Sequence, residues 1–291
     1  MKLKNNNKLS AIEKIYQKIL EVYPFLTKIE KKVFEKKAKI ILGESKYKKL
    51  ETENTIKNLL ALLNGNGHAD IKEWYKPNRN FMREAKIKKL PFFKIENRVL
   101  YIKIPSWAMW LGKIDKKLNR FCQKNIEKYD AIIIDVRENQ GGSSRIAHNF
   151  ANIFFKKTVV YGKFIKKKES GKLITTIGKL KPNKKIFIDK PILILISKKC
   201  FSSNELFLAP FKISKRAILV GEPTTGGSAN PISEIIKISG KKFVIRIPTW
   251  RFFLKGEKRP IEKTRINPDI IYKSKNIEKF AKSYLMKTVI N

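Results

Sequence analysis

Short runs of apolar, mostly β-branched residues alternate with helical stretches over much of the chain, and this alternation limits the choice of folds most. The runs lie at residues 99–102, 131–134, 192–196, 217–220 and 243–247. Their length and composition are typical of buried strands. Helical patterns at about 115 to 128, 144 to 155 and 204 to 213 separate them. The alternation predicts an α/β domain with buried strands over about residues 92 to 272.

The N-terminal residues have a different pattern. From about residue 11 to residue 63, apolar side chains recur at three- and four-residue spacing, which predicts helices. An Asn- and Gly-rich cluster at 64–67 ends this region, and His68 follows at once. We therefore expect an N-terminal helical subdomain at 1–70, a polar connector at 71–91, and a core at 92–291 that ends in an amphipathic helix at about 276 to 287.

The composition is that of an ordinary globular protein, with 42% hydrophobic residues. No apolar stretch reaches the ~20 residues that span a bilayer, and the start of the chain lacks the apolar run of a signal peptide. We expect a cytoplasmic location. Cys122 and Cys200 cannot form a disulfide framework, and we expect both to be free thiols.

The formal net charge of +40 is the most extreme property of the chain. Basic clusters neutralise phosphates and release counterions, so a nucleic-acid or membrane-surface protein is one interpretation. The basic residues are mostly Lys and are scattered along the chain, whereas base-reading and bidentate phosphate sites favour Arg. A solvated Lys-rich surface is therefore favoured over dedicated nucleic-acid binding. Such a surface would still attract acidic peptides or partners.

Two glycines, Gly141 and Gly142, stand between an apolar run and a helical pattern. Paired glycines at such a place allow a tight turn whose backbone N–H groups point into a cleft. This arrangement suits an oxyanion hole or a phosphate cradle. No Gly-Lys-Ser/Thr follows, which excludes a Walker loop. A plain turn is the alternative interpretation.

Ser202 occupies an equivalent place between the apolar run at 192–196 and the next helical pattern. A hydroxyl there lies near the positive end of the helix dipole, which stabilises a developing oxyanion. Ser202 and Glu205 also match a capping box, in which both side chains only satisfy the first turn of the helix. Cys200 is a second candidate nucleophile, because a thiol at a helix start is activated. The local sequence leaves these three interpretations open.

Four segments, taken together and in order, resemble those of the S41 peptidases, the tail-specific and C-terminal processing proteases with their tricorn-like relatives. Residues 129–142 (YDAIIIDVRENQGG) resemble the family's Asp-Leu-Arg-x-Asn-x-Gly-Gly segment, and residues 191–207 (PILILISKKCFSSNELF) resemble its nucleophile segment. Residues 217–227 (AILVGEPTTGG) and 261–272 (IEKTRINPDIIY) resemble its two later segments. The resemblance selects Ser202, three residues before a Glu, as the nucleophile.

The resemblance also implies candidates for the rest of the catalytic group. In the Ser-Lys branch of the family the general base is a Lys directly after the Gly of the third segment, and here that position is Gly227. The tricorn-like branch takes a His from upstream, to which His68 corresponds, and Glu262 is implied as the residue that orients or stabilises the cluster. Gly67 stands where a tricorn-type tetrad has a Ser. His148, the only other histidine, is expected to be a surface or core residue.

A crotonase- or ClpP-like βαβ spiral core and a serine peptidase without metal or cofactor follow from the resemblance. Ser202 would attack a peptide carbonyl, with His68 as a base whose pKa lies near 7. The N–H groups of Ser203 and of Gly141 or Gly142 would hold the oxyanion. We expect Ser202 and His68 within reach of one hydrogen bond or one bridging water.

The substrate class is less defined. About 25 residues separate His68 from the first core strand, too few for the PDZ domain that many members carry. The expected partner is therefore a peptide or unfolded protein, for which the basic charge favours acidic sequences. The missing Lys and the incomplete tetrad also allow a catalytically inactive member that binds a peptide or small apolar ligand. Such a protein would hold His68 and Ser202 far apart.

Overall fold

A computed structural model describes residues 2–47, 52–63, 68–75, 90–109 and 113–290. The predicted turn at 64–67, Gly67 included, and most of the predicted connector lie outside these residues. The chain divides into two compact units, each assembled from three stretches. The first unit comprises Met1–Pro77, Phe164–Thr176 and Ala229–Phe252, and the second comprises Asn78–Lys163, Ile177–Ser228 and Phe253–Asn291. The domain boundaries expected from the sequence stay a prediction.

The structure contains the helices and the strand runs that the sequence pattern predicts, together with strands that the pattern does not predict. The helices are α1 (Lys2–Val22), α2 (Lys28–Tyr47), α3 (Thr52–Ala61), α4 (Ile114–Lys124), α5 (Ser144–Ala151), α6 (Ser203–Ser214), α7 (Ile261–Thr264) and α8 (Ile277–Leu285). The strands are β1 (Asp70–Glu73), β2 (Phe92–Glu96), β3 (Val99–Lys103), β4 (Ala131–Asp135), β5 (Val159–Lys167), β6 (Leu173–Leu180), β7 (Ile192–Ile196), β8 (Ile218–Gly221), β9 (Ile232–Ile238), β10 (Lys241–Ile247), β11 (Trp250–Leu254) and β12 (Ile270–Ile271). The strands and helices predicted for the core are confirmed as elements.

A six-stranded sheet in the order β12-β8-β7-β4-β3-β2 forms the centre of the second unit. Its strands are parallel except for the antiparallel pair β2 and β3. Every residue of β4 and β7 is buried, as expected of central strands that are covered on both faces. Helix α8 packs on this sheet through Ile277, Ala281 and Leu285. The predicted α/β class is confirmed.

The first unit combines helices α1 to α3 with an antiparallel sheet in the order β1-β10-β9. Ile15 and Ile19 of α1 and Leu59 of α3 are fully buried, and they share one core with Ile245 of β10. The Tyr23 hydroxyl donates to the Leu63 carbonyl at 2.7 Å and ties the end of α1 to the end of α3. The helices therefore bury their apolar stripes against a sheet of their own.

The strands of this sheet differ from expectation, and β9 is not among the predicted runs. The run at 243–247 is a strand, as predicted, but it belongs to the antiparallel sheet of the first unit and not to the core sheet. Alternate residues of β10 are buried, which is the pattern of a sheet with one covered face. Strand β1 begins the segment expected to be a connector, and it escaped prediction because only Ile71 in it is buried.

A third sheet, in the order β11-β5-β6, contains the residues at which the chain passes from one unit to the other. None of the described helices is long and apolar enough to cross a membrane.

Candidate active site

Two turns meet at one edge of the six-stranded sheet. Strands β4 and β7 are parallel neighbours, with Asp135 opposite Leu195, so their carboxyl ends lie at the same edge. Residues 136–143 leave β4 and lead into α5, and residues 197–202 leave β7 and lead into α6. The glycine pair and the candidate nucleophile therefore come from adjacent strand ends, where open parallel sheets place their ligand sites.

The two turns are in contact at Gly141. A Cβ on this residue would lie 2.7 Å from Cβ of Ser202 and 2.9 Å from the carbonyl oxygen of Phe201. Its φ is 99°, which side chains rarely adopt. At Gly142, with φ 136°, a Cβ would be 2.3 Å from the carbonyl carbon of Trp107. Only glycine allows both approaches, which explains the residue pair that the sequence pattern singled out.

Asn139 fixes the shape of the glycine turn. Its Nδ2 donates to the Ile104 carbonyl at 2.9 Å, and its Oδ1 accepts from the Gly141 N–H at 2.8 Å. Its own carbonyl accepts from the Phe201 N–H at 3.3 Å. Asn139 is fully buried, so these bonds are shielded from water. One side chain thus links the glycine turn to the nucleophile turn.

Trp107 and Asn204 add a second connection, which the sequence pattern does not indicate. The Trp107 N–H donates to the Gly141 carbonyl at 2.9 Å, and its indole Nε1 donates to Asn204 Oδ1 at 3.1 Å. Both residues are fully buried. Tryptophan sits in cores with its N–H satisfied, and nothing in the local sequence distinguishes this one from an ordinary core residue.

Ser202 has an unusual backbone. Its φ of 60° and ψ of −124° lie in a region that non-glycine residues rarely occupy, and its N–H donates to the Gly227 carbonyl at 2.8 Å. Strain of this kind persists only where the surrounding structure imposes it, and it clusters at functional sites. A serine on a strained strand-to-helix turn is also the geometry of the nucleophile elbow in other hydrolases.

The capping-box interpretation of Ser202 and Glu205 is wrong. The Ser202 side chain makes no capping hydrogen bond to α6. The Glu205 carboxyl accepts from Thr224 Oγ1 and from the Gly226 N–H, each at 2.8 Å. Glu205 therefore turns away from the start of its own helix and holds the loop that precedes Gly227.

The environment of Glu205 is exceptional for a carboxyl group. It is fully buried, and burial is the main cause that raises its pKa to about 8, against the hydrogen bonds that lower it. The charge of Glu262 raises the pKa further, so this second carboxyl lies close by. Glu262 is itself buried at the start of α7. At neutral pH Glu205 is mostly protonated, which avoids placing two charged carboxylates together.

Two backbone N–H groups beside Ser202 are available to a ligand. Those of Gly142 and Ser203 make no hydrogen bond with the described part of the chain. Ser203 Oγ donates to the Gly142 carbonyl and joins the two residues. The N–H of Gly141, by contrast, is already engaged by Asn139. Of the two glycines considered for the oxyanion hole, Gly142 is therefore the one with a free donor.

Cys200, the alternative nucleophile, and His148, the other histidine, lie in different surroundings. Cys200 is fully buried, its thiol donates to the Val136 carbonyl at 3.2 Å, and burial raises its pKa well above the ordinary value. This environment disfavours a thiolate nucleophile. His148 faces the Leu206 carbonyl at 3.2 Å, and its ring meets Tyr161 edge-on. Cys122 is a buried free thiol like Cys200.

His68 belongs to the first unit and is 2% exposed. It precedes β1, where Asp70 pairs across the strands with Arg246, with 2.7 Å between Asp70 Oδ1 and Arg246 Nε. Burial, followed by the positive charge of Arg246, lowers the pKa of His68 to about 4, although Asp70 opposes the shift. The expected pKa near 7 is therefore wrong. The imidazole is neutral throughout the physiological pH range.

The family model of peptidase family S41 matches residues 98–272. A search of curated proteins finds no significant match. Among solved structures, a candidate peptidase from Parabacteroides merdae is similar with a TM-score of 0.69 and 15% identity, over 99% of this chain and 98% of that one. A lipoprotein from Streptococcus agalactiae is similar with a TM-score of 0.62 and 20% identity, over 97% of each chain.

Mature CPAF in complex with lactacystin is similar with a TM-score of 0.55 and 16% identity, over 68% of this chain and 53% of that one. Likenesses at such low identity establish the fold alone. The family model, in contrast, covers more than half of the chain and includes the glycine turn, the nucleophile turn and α7. The chain belongs to peptidase family S41 and is a serine-type peptidase.

Proposed function

We propose that this peptidase acts through an acyl-enzyme on Ser202, with His68 as the general base. The observation that carries the proposal is the strained backbone of Ser202 beside the two free N–H groups of Gly142 and Ser203. A nucleophile next to preorganised donors is what acyl transfer requires. The Ser-x-x-Glu spacing of the family's nucleophile segment supports the same residue.

The chemical steps follow from these groups. Ser202 Oγ attacks the peptide carbonyl, and its proton passes to the neutral imidazole of His68. The carbonyl oxygen becomes an oxyanion that accepts hydrogen bonds from the N–H groups of Gly142 and Ser203. The intermediate collapses, the C–N bond breaks, and the imidazolium returns the proton to the leaving amine. Water then attacks the ester, again with His68 as base, and releases the acid and Ser202.

Glu262 is the candidate for orienting or stabilising this group. Its buried carboxyl lies near Glu205, which holds the loop that contributes the Gly227 carbonyl to the Ser202 N–H. A substitution of Glu262 would therefore alter the position of Ser202 even if Glu262 takes no direct part in proton transfer. We expect Glu262→Gln to lower kcat more than it raises KM.

The decisive experiment is labelling with a fluorophosphonate, followed by mass spectrometry of the labelled peptide. Ser202→Ala should abolish labelling, and His68→Gln should slow it by roughly 100-fold or more, as expected for a lost general base. His148→Gln is the matched control and should label normally. Undiminished labelling of Ser202→Ala would overturn the proposal.

The pH dependence gives an independent check on His68. A protonated imidazole cannot accept the Ser202 proton, and the pKa of His68 is lowered to about 4. The rate of labelling should therefore stay level on going from pH 7 to pH 5 and fall only near pH 4. An acid limb near pH 6.5, the pKa of an unperturbed histidine, would contradict this assignment.

A second candidate function is peptide binding without hydrolysis, favoured by Gly227 at the position where the Ser-Lys branch has its base. It predicts that an unfolded protein binds but that fluorophosphonate does not label Ser202. The net charge of +40 favours acidic substrates in either case, with binding that weakens as salt is added. Dedicated nucleic-acid binding is not proposed, and the cytoplasmic location stays a prediction.

A further inference from the structure

Strand β1 lies at the edge of the sheet of the first unit. Among the described residues, the order β1-β10-β9 gives it one neighbouring strand, and it begins two residues after His68. An edge strand presents unpaired backbone groups to any extended chain that approaches it. The edge next to His68 is therefore a place where a polypeptide could be held by its main chain.

The register shows which groups are free. The Trp74 N–H donates to the Lys242 carbonyl at 2.8 Å, so this pair is of the hydrogen-bonded kind. Such pairs alternate along antiparallel strands, and the next one is Lys72 with Val244. Ile71 and Glu73 fall between them, so their N–H and C=O groups point away from β10. These groups make no hydrogen bond with the described part of the chain.

Exposed aromatic side chains continue this edge. Trp74 is 46% exposed and Tyr75 is 69% exposed, directly after β1. The ammonium of Lys242 lies 5.3 Å from the centre of the Trp74 ring and helps to fix the ring in place. Aromatic surface beside free main-chain groups suits a ligand that offers both a backbone and apolar side chains.

We propose that the outer edge of β1 binds an extended segment of unfolded polypeptide as an additional strand. The segment pairs with Ile71 and Glu73, and its side chains contact Trp74 and Tyr75. Recognition through the main chain is largely independent of sequence, and specificity comes from the alternate side chains. The inference rests on the proposed function, because it assigns to the strand that follows His68 the task of holding the substrate.

The test uses a proline that removes one outward-pointing N–H. Proline is tolerated on edge strands where the N–H makes no bond within the sheet, so Glu73→Pro should leave the pairing of β1 with β10 intact. Glu73→Ala is the matched control, because it loses the ion pair with Lys241 but keeps the N–H. All variants carry Ser202→Ala to prevent turnover. Fluorescence anisotropy of dye-labelled, unfolded β-casein measures Kd.

We expect Glu73→Pro to weaken casein binding about fivefold or more relative to Glu73→Ala, as befits the loss of main-chain pairing. Equal Kd values for the two variants would overturn the inference. So would a failure of casein to bind at all, since main-chain pairing requires no particular sequence. Dimerisation that Glu73→Pro abolishes, seen by sedimentation without casein, would assign the edge to a second copy of the chain and also overturn it.

Failure here can be separated from failure of the proposed chemistry. Fluorophosphonate is too small to need strand pairing, so with Ser202 intact it should label the Glu73→Pro and Glu73→Ala proteins at equal rates. Equal labelling with equal casein affinity would refute the edge site alone. Absence of labelling in both, with casein affinity that differs as expected, would refute the chemistry alone.

Discussion

The ring of Phe201 lies against Gly227, such that a Cβ at position 227 would be 2.4 Å from its Cε2 atom. Carbon atoms do not approach so closely without displacement. The Phe201 ring thus occupies the space that a side chain at position 227, where the Ser-Lys branch has its base, would enter. A lysine at this position therefore requires the Phe201 ring to move.

Gly227→Lys should therefore fail to restore activity to the His68→Gln variant. The new side chain would have to displace the Phe201 ring, which belongs to the residue before the nucleophile. The rate of fluorophosphonate labelling measures the effect. Adding Phe201→Ala makes room and serves as the comparison. Restoration by Gly227→Lys with Phe201 intact would contradict this account of the packing.

Gly141→Ala should cost activity, whereas Gly256→Ala should not. Both glycines have a positive φ, 99° and 87°, so each substitution carries a similar backbone penalty of roughly 1 kcal/mol. Only the methyl at Gly141 would collide with Ser202, since nothing lies within 4 Å of the one at Gly256. Urea unfolding and labelling rates together separate the two effects. Equal loss of labelling in both variants would show that general destabilisation is responsible.

Asn139→Ala should lower kcat and leave KM nearly unchanged. The substitution removes the acceptor of the Gly141 N–H and the donor to the Ile104 carbonyl. Without these two hydrogen bonds the glycine turn is no longer held in shape, and the N–H of Gly142 loses its fixed orientation. A loss of 10- to 100-fold is in line with a misplaced oxyanion donor. Asn183→Ala is a suitable control, because Asn183 also braces a turn, through the N–H groups of Lys185 and Ile186. A rise in KM with unchanged kcat would place Asn139 in substrate binding instead.

Stability should fall as the pH rises from about 4.5 to about 8, through Glu205. The folded protein retains the Glu205 proton up to a pKa of about 8, whereas the unfolded chain loses it near 4.5. Between these values the unfolded state binds fewer protons, so the free energy of unfolding decreases with pH. Glu205→Gln should flatten this dependence, as measured by urea unfolding at pH 5, 6.5 and 8. Glu169→Gln, at an exposed position, should leave it unchanged.

The sequence predicts the local parts of this molecule better than its long-range ones. The strand-to-helix turns at Gly141 and Ser202 are marked by residue types that such turns require, and both appear where expected. The role of Asn139 depends on backbone groups of Ile104 and Phe201, far away along the chain, and no local pattern encodes them. The same holds for the lowered pKa of His68, which arises from burial and from Arg246 on a distant strand.

Strand β10 shows most clearly that the local sequence does not predict which strands pair with each other. Its apolar run predicts a strand, but its neighbours are β9 and β1, and the second of these is separated from it by most of the chain. A strand joins the sheet in which its apolar side chains can pack against an apolar surface that would otherwise be exposed. Here the helices α1 to α3 offer that face, through Ile15, Leu59 and their neighbours.

The N-terminal stretch Met1–Pro77 therefore cannot be removed without disrupting the rest of the first unit. Its N-terminal helices cover β9 and β10, which arrive late in translation as part of Ala229–Phe252. A chain that begins after residue 77 would still make these strands, and would expose the apolar side chains of Ile236, Phe243 and Ile245 to water. Proteolytic removal of the N-terminal helices should consequently yield an aggregating fragment and not an activated peptidase.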